Sequence, residues 1–225
     1  MDATLPELAT APPYADAWAD LEAPWQLALE LAWRSYAGGT IPIGAVLVNG
    51  EGELVAEGRN RVYERTAPQP WIARSLLAHA EVNALIGLDP EKRYLDHVLY
   101  TSLEPCLLCL GAAVMATVGT VRYAGVDPVA GGDGFYREGE RSRRPQIEVE
   151  GPRTDRFGAF ASALVLAFFL RRRPEGRVVV AFDRQFPGLR EVAEAILAVG
   201  APGYASLSAL EPALAAAWPL LPDSG

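Results

Sequence analysis

The segments AHAE at residues 78–81 and EPCLLC at residues 104–109 organise the rest of this sequence. The chain of 225 residues has only two histidines and two cysteines, and His79, Cys106 and Cys109 all fall in these segments. A Cys-x-x-Cys pair at the mouth of a helix can bring both sulfurs to one ion at about 2.3 Å. Sulfur and imidazole ligands favour a borderline metal, usually zinc. The pattern therefore predicts a Zn²⁺ site.

Glu81 indicates a catalytic zinc. His79, Cys106 and Cys109 would leave the fourth zinc position open beside this acid, whereas a structural zinc is normally bound by four protein ligands. Residues two apart on a helix point about 200° apart, so His79 and Glu81 can converge only beyond the helix N-terminus. Cys106 follows Pro105 at a predicted helix start, where the helix dipole favours a thiolate. We expect two helix N-termini to face each other across the zinc, with Glu81 beside the open position.

Simpler interpretations of the same residues stay open. The Cys-x-x-Cys pair could be a redox pair, or the zinc could be structural in a module without enzymatic activity. Glu81 could be a solvated acid that complements the helix dipole. His97 has no neighbour at ligand spacing, and we interpret it as an ordinary residue at the edge of a strand.

The zinc pattern resembles the cytidine deaminase superfamily, whose signature is H-x-E followed by P-C-x-x-C. The sequence is similar to the branch of tRNA adenosine, guanine and cytosine deaminases over about residues 24–173. Four segments carry this likeness: PIGAVLV (42–48), EGRNR (57–61), LYTSLEPC (99–106) and VRYAGVD (121–127). The resemblance implies zinc-dependent hydrolytic deamination of an amino-substituted purine or pyrimidine, as a base or nucleoside, by a homodimer.

The resemblance also implies roles for individual residues. Glu81 would carry protons between water and substrate, and the backbone N–H groups of Ala80 and of the Cys106 turn would bind the substrate. Asn60 would form a hydrogen bond with the base or sugar of the substrate. The alternative for Asn60 is an Asx-turn that closes the preceding strand.

The segment from residue 62 to residue 77 departs from the family pattern. Relatives reach the zinc histidine through a shorter loop that usually ends D-P-T, whereas here residues 74–79 read RSLLAH. Because this loop borders the pocket, we expect it to alter the choice of substrate. Trp71 could stack on a base for about 1–3 kcal/mol, or it could pack the loop down; both alternatives stay open.

Composition and net charge limit the kinds of partner that this protein can be expected to bind. The net charge of −8 argues against a surface that embraces nucleic acid as a whole, although residues 137–173 contain nine arginines against five acids. Deamination of tRNA is therefore the second hypothesis, and an inert zinc-stabilised interaction module is the third. We expect a cytoplasmic protein without membrane contact, because both cysteines are committed to metal, no secretory signal is visible, and the apolar run 157–170 is too short to cross a bilayer.

Hydrophobic periodicity predicts a three-layer α/β/α sandwich with a mixed sheet of about five strands and a hairpin at one edge. The expected strands are 43–48, 54–57, 97–101, 120–126 and 146–150, and the expected helices are 24–36, 79–88, 106–118 and 155–172. Strands 97–101 and 120–126 should form a parallel crossover around a helix. Residues 131–134 (GGDG) are expected to be a flexible loop, with no helix clearly following.

Three segments make up the predicted domain organisation. Residues 1–23 are interpreted as an irregular lead-in, residues 24–173 as the deaminase domain and residues 174–225 as an α/β appendage. Within the appendage, residues 178–182 are expected to form a strand, and residues 191–199 and 207–218 to form helices.

Overall fold

The computed structural model describes residues 14–138, 147–199 and 210–222. In chain order its elements are α1 (Ala15–Asp20), α2 (Ala23–Ala37), β1 (Gly44–Val48), β2 (Leu54–Arg59), α3 (Ala80–Leu85), β3 (Val98–Leu103), α4 (Leu107–Met115), β4 (Thr120–Gly125), α5 (Asp133–Glu138), β5 (Glu148–Glu150), α6 (Arg156–Arg172), α7 (Arg177–Gln185), α8 (Leu189–Val199) and α9 (Leu210–Ala217). A short 3₁₀ helix, Trp218–Leu220, follows α9.

The five strands form one mixed sheet in the order β2-β1-β3-β4-β5. Strand β1 pairs antiparallel with both β2 and β3, whereas β3, β4 and β5 are parallel. The predicted hairpin at one edge and the parallel crossover through α4 are therefore confirmed. In parallel strands the carboxyl ends meet at one edge, which is where the sheet presents its ligand-binding loops.

The side chains of β1 show how the sheet separates two cores, since neighbouring residues on a strand point to opposite faces. Val46 and Val48 face one core together with α2 and α6, while Ala45 and Leu47 face the other together with α3 and α4. All five residues of this strand are buried, as expected for a strand covered on both faces. The predicted three-layer sandwich is confirmed.

Helix α6 is buried on nearly every side because it lies between the sheet and the C-terminal helices. Phe160, Leu164 and Leu166 are fully buried in the core that also contains residues of α8 and α9. Asp155 caps the helix and accepts a hydrogen bond from the N–H of Gly158 at 3.1 Å. The apolar run is thus a core helix. Within the described parts of the chain, no helix has both the length and the apolar character needed to span a membrane.

The C-terminal segment corrects one prediction, because the run expected as a strand at residues 178–182 belongs to helix α7. Val179 and Phe182 are buried three residues apart, while Val180 between them is 48% exposed. This spacing is helical, and it lets one face pack against α6 and α8, an arrangement that outweighs the β propensity of three adjacent valines. Among the residues described, the appendage contains helices and turns but no strand, so it is not α/β there.

The glycine-rich segment at residues 131–134 corrects a second prediction, because helix α5 begins within it, at Asp133. The predicted helices 79–88 and 106–118 are also shorter in the structure, where they span Ala80–Leu85 and Leu107–Met115. The division into three domains stays a prediction. Residues as far apart as Tyr14, Trp25 and Trp218 lie in the same hydrophobic core.

Candidate active site

Three metal donors converge where α3 and α4 begin. His79 is the N-cap residue of α3, Cys106 is the N-cap residue of α4, and Cys109 lies in the first turn of α4. The His79 Nδ1 atom is 3.6 Å from the Cys106 sulfur and 3.4 Å from the Cys109 sulfur, and the two sulfurs are 3.6 Å apart. The two helix N-termini thus face each other, as the sequence spacing predicts.

These distances fit a tetrahedral zinc site. A zinc ion at about 2.3 Å from sulfur and about 2.0 Å from nitrogen separates its ligand atoms by roughly 3.5–3.8 Å. Within the described residues, His79, Cys106 and Cys109 are the one group of three or more His, Cys, Asp or Glu side chains close enough to hold a metal. The donor set therefore offers three ligands and leaves a fourth position open.

The pKa values of the two thiols shift in opposite directions. The hydrogen bond with Cys109, followed by that with His79, lowers the pKa of Cys106 to about 4. The same contact with Cys106, together with burial, raises the pKa of Cys109 well above its ordinary value. Because a thiol that coordinates a metal is deprotonated outright, both sulfurs can serve as thiolate ligands.

Glu81 lies beside the donors on α3 and is only 2% exposed. Its Oε1 atom accepts a hydrogen bond from Thr101 Oγ1 at 3.1 Å, while its Oε2 atom has no hydrogen-bond partner. Burial raises the pKa of Glu81, although the nearby His79 opposes the shift. A carboxyl group with one oxygen fixed and the other unpaired is suited to accepting and releasing a proton.

Close packing of α3 on β2 places these residues. A Cβ atom at Gly58 would lie 2.3 Å from the carbonyl oxygen of Ala80, so a larger residue would push the helix away from the strand. Ala80 itself is fully buried in the core beneath α3. As the first residue of the helix, it carries an N–H group without an acceptor in the helix.

The donors open into a cavity of about 190 Å³. Its inner wall contains Asn60, His79, Glu81 and Cys106. The remaining walls are mostly apolar and include Ile41, Ile43, Leu103, Val129, Ala130, Val165, Phe169 and Val178, with Glu104, Asp127 and Arg177 as further polar residues. This volume is smaller than the roughly 300–1,000 Å³ of pockets for drug-sized ligands, so it suits a single planar ring.

Asn60 combines the two uses that the sequence left open. Its Oδ1 atom accepts hydrogen bonds from the N–H of Val62 at 3.1 Å and from Thr40 Oγ1 at 2.6 Å, so the residue does form an Asx-turn. Its Nδ2 atom is buried and has no partner. Because Oδ1 is fixed, the free amide donor remains in the wall of the cavity.

Trp71 lies outside the cavity lining and packs the unusual loop onto the domain. Its indole N–H donates to the carbonyl of Glu57 at 3.3 Å, and the Arg61 guanidinium lies 5.2 Å from its ring centre. Asn83 holds the same loop: its side chain accepts from the N–H of Ile72 at 2.8 Å and donates to the Ile72 carbonyl at 3.2 Å. The geometry supports a packing role for Trp71.

Sequence reasoning missed several residues of the site. Glu104 accepts hydrogen bonds from the N–H groups of Asp127 and Asp133, both at 3.3 Å, and so braces the loop at the pocket mouth. Burial raises the pKa of Glu104. Its position directly before Pro105 in the zinc motif was the available signal. Arg177 and Val178 gave no such signal, because they lie in the C-terminal segment, in which the sequence shows no motif linked to the zinc site.

Comparison with known proteins agrees with this geometry. The family model for the cytidine and deoxycytidylate deaminase zinc-binding region matches residues 19–125. A tRNA-specific adenosine deaminase of Haemophilus influenzae is 31% identical over 159 residues, which are 67% of this chain and 84% of the relative. The chain belongs to the cytidine deaminase superfamily. The predicted family is thus confirmed.

The match to two other relatives covers less of this chain and less of each relative. A cytosine deaminase of Candida albicans is 34% identical over 92 residues, which are 40% of the chain and 56% of that enzyme. A tRNA(Ile)-lysidine synthase of Deinococcus radiodurans is 38% identical over 109 residues, which are 46% of the chain and 17% of that protein. The relatives thus include proteins named for a free base and proteins named for tRNA.

Proposed function

We propose that this chain hydrolyses the amino group of a purine or pyrimidine, as free base or nucleoside, and releases ammonia. The observation that carries the proposal is the arrangement of His79, Cys106 and Cys109 at zinc spacing, with the half-paired carboxyl of Glu81 in the same cavity. The cavity has room for one ring and is lined mainly by apolar side chains.

The mechanism follows from the positions of the chain's own residues. When bound, zinc would supply the Lewis acidity that makes water a nucleophile near neutral pH. Glu81 Oε2 takes a proton from the attacking water and delivers it to the ring nitrogen beside the amino-bearing carbon. A carbon–oxygen bond forms, Glu81 passes the second water proton to the amine, and the carbon–nitrogen bond breaks. Thr101 holds Oε1 throughout, so Oε2 carries the protons.

Substrate positioning is assigned to three groups. The Nδ2 atom of Asn60 donates to an acceptor on the substrate, because it is buried without a partner in the cavity wall. The N–H groups of Ala80 and of the Cys106 turn lie at helix N-termini and would stabilise developing negative charge. Trp71 is not assigned a substrate contact.

An ammonia-release assay tests the proposed function. Purified protein with measured zinc content would be incubated with cytosine, guanine and adenine, and with the corresponding ribonucleosides. We expect ammonia release from at least one of them, with one zinc bound per chain. Stoichiometric zinc without ammonia from any base, nucleoside or RNA would instead support an inert zinc-stabilised module.

A tRNA substrate is the second candidate, favoured by the coverage of the Haemophilus influenzae relative. The net charge of −8 weighs against it. Of the arginine-rich stretch, residues 139–146 lie outside the described structure. Among the described arginines of this stretch, Arg153 pairs with Asp155, and Arg172 lies 3.9 Å from the ring centre of Tyr63. A gel-shift with total tRNA at low and moderate salt would decide, since tight and salt-sensitive binding favours tRNA.

We also propose that the chain is a homodimer that resides in the cytoplasm. Helix α4 has the sequence LLCLGAAVM, without a charged residue, and its outer face exposes Leu108 and Met115. Ile86 at the end of α3 continues this apolar face, which a second copy would cover. Both cysteines lie at the metal site and not in a disulfide, which suits a reducing compartment.

A further inference from the structure

Part of the cavity wall is built by residues beyond the zinc-binding region. Val165 and Phe169 come from α6, and Arg177 and Val178 come from the start of α7, whereas the matched family region ends at residue 125. The C-terminal helices therefore shape the space next to the metal donors. Selection between substrates can be encoded in this wall without any change to the zinc motif.

Arg177 is the one side chain with a permanent positive charge among the described residues that line the cavity. It is exposed, and within the described structure it forms neither a hydrogen bond nor an ion pair. It is also the first residue of α7, whose N-terminus has no side-chain cap. The guanidinium and the free N–H groups of this turn together favour an electron-rich group.

Asn60 gives an independent indication that acceptors are missing from the cavity. Its Nδ2 atom is buried and unpaired, and Asn60 lines the same cavity as Arg177. The carboxylates at the mouth do not meet this need, because Glu104 accepts from the N–H groups of Asp127 and Asp133, and Asp127 accepts from its own loop at Val129 and Ala130. The buried Nδ2 of Asn60 thus lacks an acceptor that a ligand could supply, and Arg177 offers a second, exposed donor at the same cavity.

We infer that Arg177 is a specificity-determining residue that donates to a carbonyl oxygen on the outer edge of the substrate base. Val178 and Phe169 pack against the ring, and Asn60 holds the inner edge. The inference rests on the proposed deaminase function and narrows it to bases that bear both an amino group and a carbonyl. Cytosine and guanine have this pair, and adenine lacks the carbonyl. A site built to bind such an oxygen discriminates strongly against an analogue without it.

Steady-state kinetics with Arg177→Ala tests the inference, with Arg177→Lys and Arg184→Ala as comparisons. Arg184 makes a good control because it is exposed on the same helix but does not line the cavity. For cytosine or guanine we expect Arg177→Ala to raise KM about 10- to 100-fold with kcat nearly unchanged. The preference over adenine should shrink by the same factor, Arg177→Lys should restore part of it, and Arg184→Ala should behave as wild type. Equal KM values for Arg177→Ala and Arg184→Ala, or a wild type that prefers adenine, would overturn the inference.

Calorimetry separates this inference from the proposed function. If no base releases ammonia, binding of uracil and xanthine, the products expected from cytosine and guanine, would be measured for wild type and Arg177→Ala. Weaker binding by the variant would support carbonyl recognition even though the deaminase proposal had failed. Equal binding by both proteins would overturn the inference, and no binding by either would overturn both proposals.

Discussion

At the residue scale, Asn60 shows how one side chain can serve both the fold and the substrate. Its oxygen closes the turn after β2 through the N–H of Val62 and the hydroxyl of Thr40, and its nitrogen stays unpaired in the cavity. The turn thus fixes the position of the Asn60 side-chain amide in the cavity. An interpretation that assigns the residue to only one of these roles is incomplete.

Substitution of Asn60 is expected to affect binding and stability together. Asn60→Ala should raise KM at least about 10-fold and lower the free energy of unfolding by about 1–3 kcal/mol, because buried donors and acceptors lose their partner. Thr40→Val is the control, since it removes the hydrogen bond to Oδ1 and leaves Nδ2 in place. It should lower the melting temperature with a smaller change in KM. An unchanged KM in Asn60→Ala would remove this residue from the substrate site.

Residues of the metal site could be predicted from the sequence because their chemistry is rare and their spacing is local. His79, Cys106 and Cys109 are three of the four His and Cys residues of the chain, and they lie in two short motifs. Asn83 and Arg177 could not be predicted in this way. The backbone groups that Asn83 contacts and the other residues of the cavity that Arg177 lines come from segments distant in sequence. Asn and Arg are also common residues whose usual positions are turns and surfaces.

At the element scale, Asp155, which caps the N-terminus of α6, makes the stability of the fold depend on pH. Burial alone would raise the pKa of Asp155, but its ion pair with Arg153 and the hydrogen bond from Gly158 outweigh burial and lower the pKa. A lowered carboxyl pKa stabilises the fold above the unfolded-state pKa of about 3.9, and this contribution is lost as the pH falls through the lower folded-state value.

Asp155→Ala is therefore expected to destabilise the protein by about 1 kcal/mol at pH 7. The difference from wild type should shrink as the pH falls below about 4, because wild type then loses the same contribution. Asp155→Asn retains a capping oxygen and should lose less stability at pH 7. Chemical denaturation across this pH range measures both effects. A destabilisation that does not depend on pH would contradict the role of the charge.

The elements themselves were predictable where periodicity was long, as in α2 and α6, and not where it was short. Residues 178–182 contain three adjacent valines, and their strand propensity concealed a helical pattern. That pattern is the three-residue spacing between Val179 and Phe182, which are both buried. Helix α5 was hidden for a related reason, since it begins within a glycine-rich segment. In both cases packing against other helices, α6 and α8 for α7 and α4 for α5, favours the helix.

At the scale of the whole molecule, the apolar face of α3 and α4 predicts a homodimer. Wild type should have twice the chain mass of 24.2 kDa in size-exclusion chromatography with light scattering. Met115→Glu places a charge on the outer face of α4 and should yield monomers, because burying an unpaired charge in an interface is costly. Val180→Glu changes an exposed residue of α7 in the same way and should leave the dimer intact. A monomeric wild type would contradict the proposal.

The overall architecture was predictable because each motif of the zinc site is tied to one element of a single topology. The order of strands and the crossover follow from the hairpin, the parallel pair and the helices between them. The position of the C-terminal helices could not be derived. Their apolar faces can pack on any exposed apolar surface, and nothing in residues 174–225 specifies that α7 reaches the cavity.

The central claim is that Glu81 moves protons beside a zinc ion held by His79, Cys106 and Cys109. Its most direct test is the ammonia-release rate per bound zinc of Glu81→Gln relative to wild type, with Cys106→Ser as the variant that should lose the metal. The account predicts that Glu81→Gln keeps one zinc per chain and loses at least about 100-fold in rate. Wild-type activity in Glu81→Gln would contradict the account.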